Sequence, residues 1–150
     1  MYNIINAINR ETHVNDIFSI EKACFPGDFW SKEVIKQNID SANSIQLICY
    51  DGNIPVAYAD LSFVLDEAEL NRICVIEDYR RTGVASFLLD SLKNETQKIG
   101  ISKIMLEVRS HNLPALFLYL SFGFSIDGIR KKYYNKPDDD AVLMTLHLHL

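Results

Sequence analysis

The octapeptide Tyr79-Arg80-Arg81-Thr82-Gly83-Val84-Ala85-Ser86 has the residue types and spacing for anion chemistry. A β-branched-rich run with Leu70, Ile73, Val75 and Ile76 stops just before it, and Ala85, Leu88, Leu89, Leu92 and Ile99 begin a helical period inside it. The first turn of a helix has backbone N–H groups without intrahelical acceptors and the positive end of the macrodipole. A loop that clears side chains from that turn, as Gly83 does, can hold a phosphate. A pyrophosphate-bearing cofactor is the expectation. Neither the Lys-Ser/Thr pair of a nucleoside-triphosphate loop nor a three-glycine dinucleotide fingerprint is present. A single Gly ahead of a helix is also a common turn, so the residues around it must carry the argument.

Other reactive side chains point elsewhere. Cys24, Cys49 and Cys74 are odd in number and have no CxxC-type spacing, which suggests neither a disulfide framework nor a zinc site. Cys74 invites an acyl-enzyme reading, but no His lies nearby in sequence to activate it, and a buried Cys behaves as a small hydrophobe. His147 and His149 share a face of the last strand, yet two ligands do not make a metal site. No metal is expected.

Composition sets the bounds. At 150 residues and 48% hydrophobic, the chain can bury one core, so a single domain over residues 1–150 is expected. A formal net charge of −5 argues against a phosphate-backbone binder and tolerates a cationic substrate such as an amine. Residues 1–10 lack a basic region followed by an apolar one, and no apolar run approaches a membrane span. The expectation is a cytoplasmic protein that engages neither nucleic acid nor membrane; its oligomeric state is not legible.

The elements that would position these groups follow from the pattern. Residues 2–8 read as a strand and residues 14–24 as a helix, and Ser31 caps a second helix carrying Val34, Ile35 and Ile39. Residues 45–50 and 55–64 form a hairpin about Asp51-Gly52-Asn53, and Asp66-Glu67 turns into a strand ending at Val75. After a long helix stopped by Gly100, Ile104, Leu106 and Val108 mark a largely buried strand that delivers Glu107 and Arg109. Asn112 caps a helix with Pro114 near its start and Gly123 at its end. Residues 125–130 and 141–148 read as closing strands, with a polar loop over residues 133–140 between them. The fold class is α/β, or α+β, with three layers about one mixed sheet. Periodicity does not give the strand order.

Several segments, in order, resemble one family. Arg80-x-x-Gly83-x-Ala85 fits Arg/Gln-x-x-Gly-x-Gly/Ala and resembles the acetyl-coenzyme A loop of the GNAT acetyltransferases. Leu106-Glu107-Val108-Arg109 and the helix from Asn112 through Tyr119 to Gly123-Phe124 look like the same core. Glu21-x-x-Cys24-Phe25-Pro26 with Trp30-Ser31, Val64-Leu65-Asp66-Glu67-Ala68, and Arg130-Lys131-Lys132-Tyr133-Tyr134 are similar to the RimI-type branch, the ribosomal-protein-alanine N-acetyltransferases. The match spans nearly the whole chain.

This resemblance implies the GNAT acyl-CoA N-acyltransferase fold, with acetyl-coenzyme A between two splayed parallel strands. Ile73, Cys74 and Val75 would pair with the pantetheine arm, while Arg81, Thr82, Gly83, Val84, Ala85 and Ser86 wrap the pyrophosphate with help from Arg80. Asn112 matches a cofactor-contacting position, Glu107 the general base and Tyr119 the general acid. Glu69, on the neighbouring strand, is a rival base. The implied reaction is direct acetyl transfer to a protein N-terminal amine, that of ribosomal protein bS18 first. A small amine or lysine side chain as acceptor, and a non-catalytic acyl-CoA-binding module, are the alternatives. Phe25, Trp30, Tyr133 and Tyr134 either line the acceptor groove or pack in the core. Two departures stand out: Gly27-Asp28-Phe29 is inserted between Pro26 and Trp30, which leaves the acceptor open, and Ala85 replaces the more common Gly.

Overall fold

Alternation of side chains across a pleated strand decides which layer each strand serves, and here it separates two cores. The computed structural model describes residues 1–148. In chain order it runs β1 (Tyr2–Asn6), α1 (Glu11–Cys24), α2 (Lys32–Asp40), β2 (Ser44–Asp51), β3 (Ile54–Val64), β4 (Glu67–Val75), a 3-10 turn (Glu77–Tyr79), α3 (Val84–Lys98), β5 (Lys103–Arg109), α4 (Leu113–Phe122), β6 (Ser125–Tyr134) and β7 (Asp139–His147). The strands form one seven-stranded sheet in the order β1-β2-β3-β4-β5-β7-β6. Leu47, Cys49, Ala57 and Ala59 pack into a core with Leu88 and Leu92 of α3 and Tyr119 of α4. Ile48 and Tyr58, one residue out of phase, pack with Val14, Ile17, Ile20 and Ile35 of α1 and α2. The sheet is therefore covered by α3 and α4 on one face and by α1 and α2 on the other, the expected three layers. No described helix is long and apolar enough to cross a membrane.

One pairing departs from the antiparallel rule and organises the molecule. β4 and β5, joined by α3, run parallel and pair only through Glu67↔Lys103, Ala68↔Ile104 and Glu69↔Met105. Beyond that point β4 stays with β3 as far as Val75, while β5 stays with β7 as far as Arg109. The two strands therefore separate into a V. A cause lies in β4 itself: Leu61 pairs with Leu70 but Asp60 pairs with Arg72, so Asn71 is an extra residue. Such a bulge bends its strand and increases the local twist. It is pinned, because Asn71 Nδ2 donates to Asp60 Oδ2 at 3.0 Å and to Ser62 Oγ at 3.1 Å. Gln46 Nε2 donates to the other Asp60 oxygen at 2.9 Å. Burial pushes the Asp60 carboxyl up, while both amides oppose that shift.

Several boundaries differ from the sequence expectation. β1 stops at Asn6, because the Ile8 N–H is taken by His13 Nδ1 at 3.0 Å, which turns the chain into α1. A 3-10 turn, Glu77–Tyr79, stands before the glycine loop. Residues 133–140 are not one polar loop: β6 continues through Tyr134 and β7 already begins at Asp139. Residues 129–133 of β6 are all exposed, so no burial alternation marks the strand there. His149, read as sharing a face of the last strand with His147, lies outside the described residues.

Candidate active site

A groove of about 980 Å³ runs through the V between β4 and β5. Ile73, Glu107, Asn112 and Tyr119 all line it. An adjoining hollow of about 530 Å³ shares Glu107, Tyr133 and Tyr134 and adds Glu69 and Asp127. Leu106 and Val108 face the core under α3 and α4, so the pleat turns Glu107 to the opposite face of the sheet. Tyr119 comes from α4, on the α3/α4 face. The two side chains thus reach one groove from opposite sides of the sheet, which is possible only where the sheet is split.

The two groups sit in different surroundings. Glu107 is about one-third exposed, with Arg130 Nη1 at 3.6 Å from Oε1. Tyr119 is buried, and burial first, then the neighbouring Cys74 and Tyr134, raises its phenol far above the ordinary tyrosine range. Its hydroxyl has no hydrogen-bond partner among the described residues, although it lines the groove. α4 is fixed at its start by Asn112, whose Oδ1 accepts the Ala115 N–H at 3.3 Å. Upstream, Ser110 Oγ and His111 Nδ1 both reach the Asp139 carboxylate, at 2.5 and 2.8 Å. Ser110 and His111 share that carboxylate rather than each other, so the cluster anchors a turn and is not a nucleophile–base pair.

The glycine loop has the features the sequence suggested. Gly83 is left-handed at φ 82° and precedes Val84, and no side chain caps α3. Phe87 N–H makes the first helical bond, to the Gly83 carbonyl at 3.0 Å, which leaves the N–H groups of Val84, Ala85 and Ser86 ahead of it without helical acceptors. A Cβ built on Gly83 would meet nothing within 4 Å, so the helix end is open. Arg81 is also left-handed, at φ 63°, and Thr82 Oγ1 closes the loop on the Tyr79 carbonyl at 2.5 Å. Arg80 Nε donates to the Val75 carbonyl at 2.9 Å, tying the loop to the end of β4.

Of the expected pantetheine-pairing residues, Ile73 lines the groove, while Cys74 packs beside Cys24 against the α1/α2 core. Burial pushes the Cys74 thiol well above its ordinary value, which disfavours the thiolate a covalent mechanism needs. Phe25, Tyr133 and Tyr134 line the groove, whereas Trp30 packs into the α1/α2 core. Glu69 lies in the adjoining hollow with Glu107. Two arginines were given no role by the sequence. Arg109 stacks on Tyr134 at 4.4 Å and donates to the carbonyls of Pro137 and Asn135 at 2.7 and 3.2 Å, holding one lip of the groove. Arg72 lines the groove, and its Nη2 donates to the Asp28 carbonyl at 2.7 Å.

The profile of the "Acetyltransferase (GNAT) family" matches residues 14–124. The [ribosomal protein bS18]-alanine N-acetyltransferase of Haemophilus ducreyi is 38% identical over 92% of this chain and 96% of its own length. The enzyme of the same name from Escherichia coli K12 is 33% identical over 91% of this chain and its whole length. The crystal structure of the Escherichia coli ribosomal-protein-S18-alanine N-acetyltransferase superposes with a TM-score of 0.89 at 31% identity, covering 100% of this chain and 96% of that one.

Proposed function

The chain belongs to the GNAT acetyltransferase family, and from that premise we propose that its groove transfers acetyl from acetyl-CoA to the N-terminal alanine of ribosomal protein bS18. The observation that carries the reading is the approach of Glu107 and Tyr119 to one groove from opposite faces of a split sheet. The co-substrate fits this geometry. Beyond Glu69 the edge of β4 facing β5 has no ladder partner and can pair with a pantetheine arm. The open end of α3 at Gly83, with the N–H groups of residues 84–86, is suited to the pyrophosphate. Arg80 and Arg81 precede it in the loop, and Asn112 lines the groove.

The chemistry assigns each catalytic group a task. An α-amine with pKa about 8 is only roughly a tenth free at pH 7, and only the free amine attacks a thioester. Glu107, directly or through water, accepts the proton as the C–N bond forms. The C–S bond then breaks, and Tyr119 donates its hydroxyl proton to the departing thiolate. Burial keeps the Tyr119 phenol protonated, and the same desolvation raises the proton affinity of a thiolate in the groove. No protein nucleophile is needed, in keeping with the suppressed Cys74 thiolate.

The test is release of coenzyme A from acetyl-CoA in the presence of a peptide carrying the bS18 N-terminus, beside the same peptide with its α-amine blocked. Release with the free amine alone is expected. Release with the blocked peptide through a lysine, or with a polyamine alone, would replace the N-terminal reading with the side-chain or small-amine one.

A further inference from the structure

Arg72 follows the Asn71 bulge, and its guanidinium leaves the sheet for the connection between α1 and α2. It lies between two rings, 4.1 Å from the Phe25 centroid and 4.5 Å from that of Trp30. Its Nη2 donates to the Asp28 carbonyl at 2.7 Å and to Glu21 Oε1 at 3.4 Å. Its Nε stands 3.2 Å from Glu21 Oε2, an ion-pair contact without hydrogen-bond alignment. Glu21, fully buried in α1, also accepts the Trp30 N–H at 2.8 Å and the Tyr58 hydroxyl. Among the described residues, every hydrogen bond, ion pair and ring contact of the Arg72 guanidinium is therefore with α1 or with residues 25–30, a segment without regular secondary structure.

That segment includes the inserted residues 27–29, and Phe25, Pro26, Gly27 and Asp28 line the groove together with Arg72. Internally the segment has little to fix its shape: Phe25 N–H closes on Glu21, and Asp28 N–H on Phe25. A planar guanidinium can fill a slot between two rings and donate from its edges at the same time, which an ammonium cannot do. A buried ion pair contributes little net stability, so its value here is geometric.

We propose that Arg72 is a positioning residue for the acceptor: it clamps residues 25–28 against β4 and so fixes the lip across the groove from Glu107. The clamp sets acceptor binding, leaving acetyl transfer itself and acetyl-CoA affinity to the groove and the α3 loop. This rests on the reading that the groove takes an amine-bearing peptide. A lip freed from its clamp must be ordered when the peptide binds, a cost that falls on binding rather than on the chemical step.

Trp30 is the chain's sole tryptophan, so its fluorescence reports the lip without any substrate. Arg72→Lys keeps the charge and loses the fork, Phe25→Leu removes one stacking face, and the pair Glu21→Gln with Arg72→Met leaves no uncompensated buried charge. Each is compared with wild type for peptide KM, kcat, acetyl-CoA Kd and acrylamide quenching of Trp30. The expected result is a peptide KM raised about tenfold in Arg72→Lys and in the double variant, and about threefold in Phe25→Leu. Quenching should increase, while kcat and acetyl-CoA Kd stay within about twofold. Unchanged peptide KM in all variants, or a fall in kcat alone, with an active wild type overturns the clamp. A wild type that does not acetylate the peptide instead overturns the function reading, and the acceptor role with it.

Discussion

The rings of Tyr119 and Phe124 lie 5.5 Å apart, tilted by 60°, across the C-terminus of α4. Phe124 N–H donates back to the Tyr119 carbonyl at 2.9 Å and Gly123 N–H to that of Leu120 at 3.2 Å, the Schellman pattern, with Gly123 left-handed at φ 119°. The ring contact is the apolar closure that accompanies this motif. Together with the Asn112 cap, it fixes the helix at both ends and hence the depth at which the Tyr119 ring sits. The hydroxyl at the end of that ring is left to the groove.

Tyr119→Phe therefore removes no internal hydrogen bond and keeps the ring packing. The expected outcome is an unchanged melting temperature and unchanged acetyl-CoA binding, with kcat lowered about 10²- to 10⁴-fold, the range for loss of a general acid. Calorimetry and steady-state kinetics on one preparation check both halves. Full turnover in the variant would remove Tyr119 from the chemistry.

Much of this arrangement is legible in the sequence because local rules decide it. Asn112 and Gly123 announce the ends of α4, Gly83 the loop, and the alternation of Ile104, Leu106 and Val108 the strand that aims Glu107. The V is less visible, since a split sheet is a relation between strands. Even so, the β4 positions that pack on the α3/α4 core, 68, 70, 73 and 75, contain one interval of three among intervals of two, the phase slip of the Asn71 bulge. The Arg72 and Arg109 anchors left no local trace. Their partners lie far away in sequence, and only the tertiary fold makes a charged residue in a strand into a hold on a loop. Trp30 shows the converse: its apolarity suited a groove or a core equally, and packing against α1 and α2 decided for the core.

Glu107→Gln should lower kcat/KM for the peptide by about 10²- to 10⁴-fold while acetyl-CoA affinity holds. The amide cannot accept the ammonium proton, so the residual rate should depend only on the free-amine fraction and rise tenfold per pH unit below about pH 8. Glu69→Gln, in the adjoining hollow, is expected to stay within about threefold of wild type. A larger loss in Glu69→Gln than in Glu107→Gln, read from pH–rate profiles of the two, would exchange their roles.

Gly83 offers a test that separates backbone from ligand. Its φ of 82° costs a residue with a Cβ about 1–2 kcal/mol, yet that Cβ would meet no neighbour. Gly83→Ala should lose stability by that amount and keep much of its coenzyme A affinity. Gly83→Asp adds a charge at the open helix end and should weaken coenzyme A binding more than tenfold, least at high salt. Pantetheine, which lacks the phosphates, should bind both variants alike. Titration calorimetry with the two ligands decides, and an equal loss for pantetheine would place the phosphates elsewhere.

Acid should reach α4 through Asp139. The Ser110 hydroxyl first, then the His111 ring and the N–H groups of His111 and Asp140, hold its carboxyl well below the usual carboxylate range. The folded value lies below the unfolded one, so the stabilisation is fully present above the unfolded value near 3.8 and is lost progressively as pH falls from there through the lower folded value. Urea denaturation between pH 7 and pH 3 should show wild-type stability falling at the acid end, with a shallower fall in Asp139→Asn. The variant should be the less stable at pH 7, and the gap between the two curves should begin to narrow only below about pH 4 and be still closing at pH 3. Because Ser110 and His111 lead directly into the Asn112 cap, Asp139→Asn should also lower kcat at neutral pH, through a looser start to the helix that carries Tyr119. Parallel acid slopes in the two proteins would mean that Asp139 does not govern the acid response of this turn.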